Sequence, residues 1–355
     1  MFDLDLPETY ATLDRSGIRE CILDYPRQMR EAYAAARALK LPAEAIASIA
    51  IVGMGDSALG AEIALAAVSE ALSLPVSVTR GYVPPAASRG PAHVVIAVSH
   101  SGNSEETVAA FEAALARGCR VIALANGGHI AARAEALGLP LARCAPGGRF
   151  SATTGMAGLG VIGALAALGA LPDPDAMAAE ACAAAEEANR MLGPDVPVRK
   201  NGCKRLAGQF ATRLPILLGA GVFAPVARWW KIQLNSTAKL LALWEEMPEF
   251  NHGGMMVVDT LGQRWKDAMV VALRGNAEPP RIRLRHDLTA RLMLEAGLNI
   301  DSARARGQSL LAQAFSLVAY GDWCAYYAAI MAGTDPAIYG TVPAMEQLKA
   351  GLSEG

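Results

Sequence analysis

The chain has 355 residues, 53% of them hydrophobic and 19% charged, with a formal net charge of −2. So few charges among so many apolar residues exclude a disordered chain, and the near-neutral balance argues against a general nucleic-acid binder, which carries a basic excess. At ~100–200 residues per domain the length suggests two domains, or one large internally repeated unit.

The mean hydropathy of +0.25 raises the question of a membrane protein. The longest apolar run, GMAGLGVIGALAALGAL (155–171), falls just short of the ~20 residues that span a bilayer, and Gly and Ala fill it where Leu, Ile and Phe are expected. The pattern predicts a buried helix packed tightly on a sheet rather than a membrane span. The opening MFDLDLPETY is acidic and lacks the basic start and apolar stretch of a signal peptide. Cys21, Cys119, Cys144, Cys182, Cys203 and Cys324 lie far apart, without CxxC pairs or neighbouring histidines. They read as reduced thiols, not as a zinc site or a disulfide framework. The expectation is a soluble cytoplasmic protein with no membrane or nucleic-acid partner.

Residues 1–45 read as mostly helical, RQMREAYAAARAL having helical spacing and strong helix formers. Short apolar runs then alternate with Ala-rich helical stretches: SIAIV (48–52), PVSVT (75–79), HVVIAV (93–98) and RVIALA (120–125). Unbroken apolar runs predict strands buried on both faces of a parallel sheet, and the spacings leave room for crossover helices. A Pro/Asp-containing stretch over 171–202 reads as a connecting segment. The second half repeats the plan, with strands expected at LPILLGAG (214–221), DAMVVALRG (267–275) and RIRLR (281–285), and helices following. The reading is α/β: two α/β domains in tandem, 46–170 and 203–355, behind an N-terminal helical segment.

Two loops are suited to a ligand. Gly53-Met54-Gly55-Asp56-Ser57-Ala58 joins a strand to a helix, where glycines bring backbone amides and a helix N-terminus close to an anion. It fits G-x-G-x-x-A, but Thr79-Arg80 stands where a nicotinamide dinucleotide site places its ribose-binding acid. The second loop, Ser99-His100-Ser101-Gly102-Asn103-Ser104-Glu105-Glu106-Thr107, crowds three serine hydroxyls at one strand–helix junction beside backbone amides expected to be free. Asn103 with Glu106 is a candidate capping box. A plain cap needs one such residue; three hydroxyls and a glycine make a cup for a phosphate.

SHSGNSEET resembles the signature loop of sugar isomerase (SIS) domains, usually S-x-S-G-x-T-x-E-T. GMGDSALG is similar to the first glycine loop, GMGGSxxG, of the bifunctional phosphoglucose/phosphomannose isomerases. LNSTAKLLALWEEMPEFNHGG (234–254) resembles their N-E-N-A-K…P-E-x-N-H-N segment, and GDWCAYYAAIMAGTDP…LK (321–349) their C-terminal pattern. These motifs run in order over roughly 45–350. The resemblance implies two tandem SIS domains, each a five-stranded parallel sheet flanked by helices, in a homodimer with shared active sites. It implies no cofactor or metal, and a sugar phosphate as ligand.

Aldose–ketose isomerisation needs a phosphate cradle, a group that opens the ring, and a carboxylate that moves a proton between C1 and C2. By the resemblance Gly55, Asp56, Ser57, Ser99, Ser101, Ser104 and Ser151 stand at substrate- or phosphate-binding positions. His252 matches the ring-opening histidine, expected to reach a neighbouring subunit's site, and Lys349 the C-terminal lysine. Three positions depart from the pattern. Ser236 falls where the family has its base, and Ser151 where it has an arginine, with Arg149 two residues away. Asp56 replaces a glycine, and a carboxylate there repels a phosphate dianion unless it points away or bonds an amide. Glu245, Glu246 and Glu249 are the nearby candidates for a relocated base. Three readings stay open: an isomerase of the glucose- or mannose-6-phosphate to fructose-6-phosphate type, a sugar-phosphate-binding protein without turnover, and different chemistry on another carbohydrate derivative.

Overall fold

The computed structural model describes residues 2–41, 44–143, 153–258 and 267–337. Its elements run α1 (Pro7–Leu13), α2 (Ile18–Arg37), β1 (Ser48–Gly53), α3 (Gly55–Val68), β2 (Val76–Thr79), β3 (His93–Ser99), α4 (Glu105–Ala116), β4 (Arg120–Ala125), α5 (Gly128–Leu137) and β5 (Leu141–Ala142). They continue with α6 (Thr153–Ala167), α7 (Asp175–Leu192), α8 (Gly202–Phe210), β6 (Leu214–Ala220), α9 (Phe223–Ser236), β7 (Leu243–Met247), β8 (Ala268–Arg274), α10 (Pro280–Glu295), β9 (Asn299–Arg304) and α11 (Leu310–Met331).

The strands form two sheets, ordered β2-β1-β3-β4-β5 and β7-β6-β8-β9. Every pairing is parallel; Ile51 of β1, for example, is flanked by Val78 of β2 and Ile96 of β3. The central strands β1, β3 and β4 are buried almost throughout, as strands covered by helices on both faces must be. Among the described residues the second sheet has four strands, where five were expected. In both sheets the chain leaves a central strand for one edge and then returns to the other side. The two switch points therefore lie between β1 and β3 and between β6 and β8, where the carboxyl ends of the strands open a crevice.

The apolar run that raised the membrane question is α6, and its residues from Thr153 to Leu165 are all buried. It packs chiefly against α2 and α3 rather than on a sheet. Small residues make this possible. A Cβ on Gly158 would lie 2.6 Å from the Phe315 ring of α11 and 2.9 Å from the Gly60 carbonyl of α3, well inside contact distance. No helix of the described residues is long and apolar enough to cross a membrane. The long buried helix α11 and the connecting helix α7 complete this core, and the Trp323 indole donates to Asn189 at 2.9 Å.

RIRLR is not a strand. It is the first part of α10, which begins at Pro280. Its Arg/apolar alternation mimics the two-residue period of a strand, whereas Leu284, Leu288 and Leu292, four apart and partly exposed, follow one face of a helix. Cys21, Cys119, Cys182, Cys203 and Cys324 are buried; Cys144 lies outside the described residues.

Candidate active site

The switch point of the first sheet opens into a cleft of about 180 Å3 lined by Met54, Gly55, Asp56, Ser57, His100, Ser101, Ser104 and Thr153. One wall is the turn from β1 into α3, where Gly55 has the left-handed φ of +49°. The other is the loop from β3 into α4. Gly102 there has φ +71°, and a Cβ on it would lie 1.9 Å from the Gly127 carbonyl, so only glycine lets the loop turn against α5. Thr153, the first residue of α6, closes the floor.

The serines divide into two roles. Ser57, Ser101 and Ser104 line the cleft. Ser99 does not; it is buried behind it, its Oγ accepting from the Gly102 amide at 3.1 Å and lying 3.5 Å from Ser104 Oγ. Ser101 Oγ accepts from the Asn103 amide at 3.2 Å. The loop amides of Gly102 and Asn103 are therefore taken by serine oxygens rather than free for a ligand, and the hydroxyl proton of Ser101 remains to be donated. No side chain caps α3 or α4, so both helices present first-turn amides at their cleft ends.

The expected capping box does not form. Asn103 lies outside α4, with Ser104 at the N-cap, and Asn103 Oδ1 accepts from the His129 amide at 2.9 Å in the first turn of α5. Asn103 thus ties the serine loop to the next helix instead of capping its own.

Among the described residues Asp56 is the only carboxyl that lines the cleft, and no Lys or Arg lines it. Of the two ways in which a carboxylate here would avoid repelling a phosphate, it takes neither: it lines the cleft and bonds no amide, having no hydrogen-bond partner among the described residues. Burial pushes it up to about 7, because a carboxylate drawn out of water without a partner loses hydration. Behind it stands Asp322 of α11, 4% exposed, which accepts from the Trp229 indole of α9 at 2.8 Å. Burial, with the nearby Asp56 as a smaller cause, holds the Asp322 carboxyl well above the usual carboxylate range.

The remaining expected residues lie apart from this cleft or outside the description. Ser236 ends α9, its hydroxyl donating to the Ile232 carbonyl at 2.8 Å. His252 follows a short 3-10 turn and does not line the cleft of its own chain; it is exposed. Glu246 lines a different crevice, with Met247 and Pro248, and Glu245 an apolar pocket beside Phe250; Glu249 begins the turn before His252. Ser151, Arg149 and Lys349 lie outside the described residues. His100 and Thr153 line the cleft without having been singled out as site residues, although each stands in a serine- or threonine-rich stretch. No group of His, Cys, Asp and Glu among the described residues is arranged to hold a metal ion.

Residues 199–352 match the family model described as bacterial phospho-glucose isomerase C-terminal SIS domain. Over 320 residues the chain is 29% identical to a bifunctional phosphoglucose/phosphomannose isomerase of Caldicellulosiruptor bescii, covering 89% of this chain and 94% of that one. Over 309 residues it is 30% identical to the enzyme of the same name from Thermoplasma acidophilum, covering 86% and 90%. Among solved structures, a hypothetical protein from Thermus thermophilus superposes over 98% of this chain and 93% of its own with a TM-score of 0.75 at 15% identity, a likeness of fold.

Proposed function

From the premise that the chain belongs to the bifunctional phosphoglucose/phosphomannose isomerase family, we infer that it is a phosphosugar aldose–ketose isomerase, converting glucose or mannose 6-phosphate to fructose 6-phosphate. The observation that carries this reading is the cleft at the first switch point, where Ser57, Ser101 and Ser104 face two uncapped helix N-termini. Hydroxyls and first-turn amides are donors suited to a phosphate, and a chain with a net charge of −2 must draw anion affinity from such local dipoles.

In this reading Ser57, Ser101 and Ser104 hold the phosphate, with Ser99 setting the loop and Gly55 bringing the backbone close. Ser151 and Lys349 complete the site from segments outside the described residues. His252 serves ring opening in the cleft of a second copy, which its exposed place away from its own cleft supports. The working form is then a homodimer with shared sites, at work in the cytoplasm. Ser236 makes no proton transfer: a serine hydroxyl bonded back to its own helix is far too weak a base.

Purified protein given glucose 6-phosphate or mannose 6-phosphate is expected to form fructose 6-phosphate, read by a coupled assay, and Ser101→Ala to lose most of that turnover. Binding of the sugar phosphates with no product above a heat-killed control would replace the isomerase by a binding protein without turnover.

A further inference from the structure

Isomerisation requires a group that takes a proton from carbon, and Ser236 does not supply one. The carboxyls of the segment after α9 do not line the cleft: Glu246 and Glu245 line other cavities. Asp56 does line it, opposite the loop that carries Ser101 and Ser104.

The helix packing brings Asp56 to the same end as the position that lost its carboxylate. The last turn of α3 (Ala66–Val68) shares a crevice wall with the first residues of α9 (Val222, Phe223), and Arg228 of α9 donates to Glu62 of α3 at 3.5 Å. The two helices therefore run antiparallel. Ser236 stands as far beyond Arg228 as Met54 stands before Glu62, ~12 Å of helix in each case. Ser236 and the Met54–Ser57 turn thus lie at one end of the pair, and the carboxyl there comes from α3 instead of α9.

Resting on the isomerase reading above, we propose that Asp56 is the general base of this chain. Its carboxylate takes the proton from C2 of the bound, ring-opened aldose phosphate. The C2–H electron pair becomes the C1–C2 double bond, the carbonyl pair moves to O1, and O1 takes a proton from water. The enediol then returns: the O2 proton leaves to water, C2 becomes the carbonyl carbon, and protonated Asp56 delivers its proton to C1. Substrate and product are isomers, and no redox partner is needed.

The surroundings suit the role. A general base works best with a pKa near the operating pH, and burial without a partner gives Asp56 that property. Asp322, the titratable neighbour from α11, does not line the cleft and accepts from the Trp229 indole, so it does not compete. His100 faces the cleft from the β3–α4 loop, and Tyr25 of α2 adjoins Asp322. A bound phosphate dianion makes Asp56 more basic still. The same repulsion weakens binding, so this residue exchanges affinity for basicity.

That exchange gives a test. Asp56→Asn is expected to lower kcat at least ~100-fold, the usual effect of losing a positioned base, while fructose 6-phosphate binds as tightly or more tightly by calorimetry. Incorporation of solvent deuterium at C1 and C2, followed by NMR, should disappear with it, and wild-type kcat should rise with pH through the neutral range. Should Asp56→Asn not fold, Asp56→Gly takes its place. Turnover by Asp56→Asn within threefold of wild type overturns the assignment and leaves the isomerase reading intact. A wild type that binds fructose 6-phosphate yet shows neither turnover nor deuterium exchange overturns the isomerase reading, and this base with it.

Discussion

The molecule carries the same crevice twice and lines it in opposite ways. Between the carboxyl ends of β1 and β3, hydroxyls and the carboxyl of Asp56 surround about 180 Å3. Between those of β6 and β8 the crevice is larger, about 660 Å3, and its walls include Val222, Phe223, Met247, Ile282 and Leu310. Its polar groups include Glu278, and that carboxylate is already engaged: it accepts from Arg274 Nε at 2.9 and 3.0 Å and from the Gly275 amide at 3.1 Å. Topology places a crevice at each switch point. The side chains alone decide that one is lined by hydroxyls suited to an anion and the other mainly by apolar groups.

Breaking the second crevice should cost stability and leave binding alone. The Arg274 and Glu278 side chains are only 11% and 3% exposed; Glu278→Ala leaves the buried Arg274 Nε unsatisfied, with Asp287 still paired to the other arm of the guanidinium, and is expected to destabilise the fold by about 2 kcal/mol. Urea unfolding reads that loss, and the affinity for fructose 6-phosphate in buffer should stay within a factor of two. A large loss of affinity in folded Glu278→Ala would show that the two crevices are coupled.

Asp56 makes the first crevice a source of instability at alkaline pH. Its pKa rises on folding from the ordinary 3.8 to about 7. The folded state therefore holds this proton more tightly than the unfolded state, and the group costs stability as pH rises from about 4 through 7. Asp56→Asn should stabilise the protein by on the order of 4 kcal/mol at pH 8, relative to its effect at low pH, with under half that gain at pH 5. Equal gains at the two values would mean that Asp56 is charged in the folded protein throughout.

The same contrast explains what could be read from sequence. The central strands β1, β3, β4, β6 and β8 announce themselves because burial on both faces demands unbroken apolar runs. The edge strands β7 (LWEEM) and β9 (NIDSAR) do not, since their outer residues are exposed and polar, and the polar lining of LWEEM resembles a loop. The first crevice was legible as two motifs, SHSGNSEET and GMGDSALG, because phosphate chemistry restricts residue types at fixed spacing. Which serine faces the ligand was not legible: Ser99 ends a strand and turns inward, whereas Ser101 stands in the loop beyond it. Nor was the place of Asp56 near Asp322, since the two lie far apart in the chain and meet only where α11 packs against α3. The second crevice has no motif, and its apolar lining reads as ordinary core.

The central claim is that the hydroxyl-lined crevice of the first sheet holds the sugar phosphate. Isothermal titration of fructose 6-phosphate into the wild type and into the pair Ser101→Ala/Ser104→Ala tests it most directly. One saturable site per chain is expected in the wild type, with affinity at least ~10-fold weaker in the pair, about 1.4 kcal/mol. Unchanged affinity in the folded double variant would contradict the account and move the ligand elsewhere in the molecule.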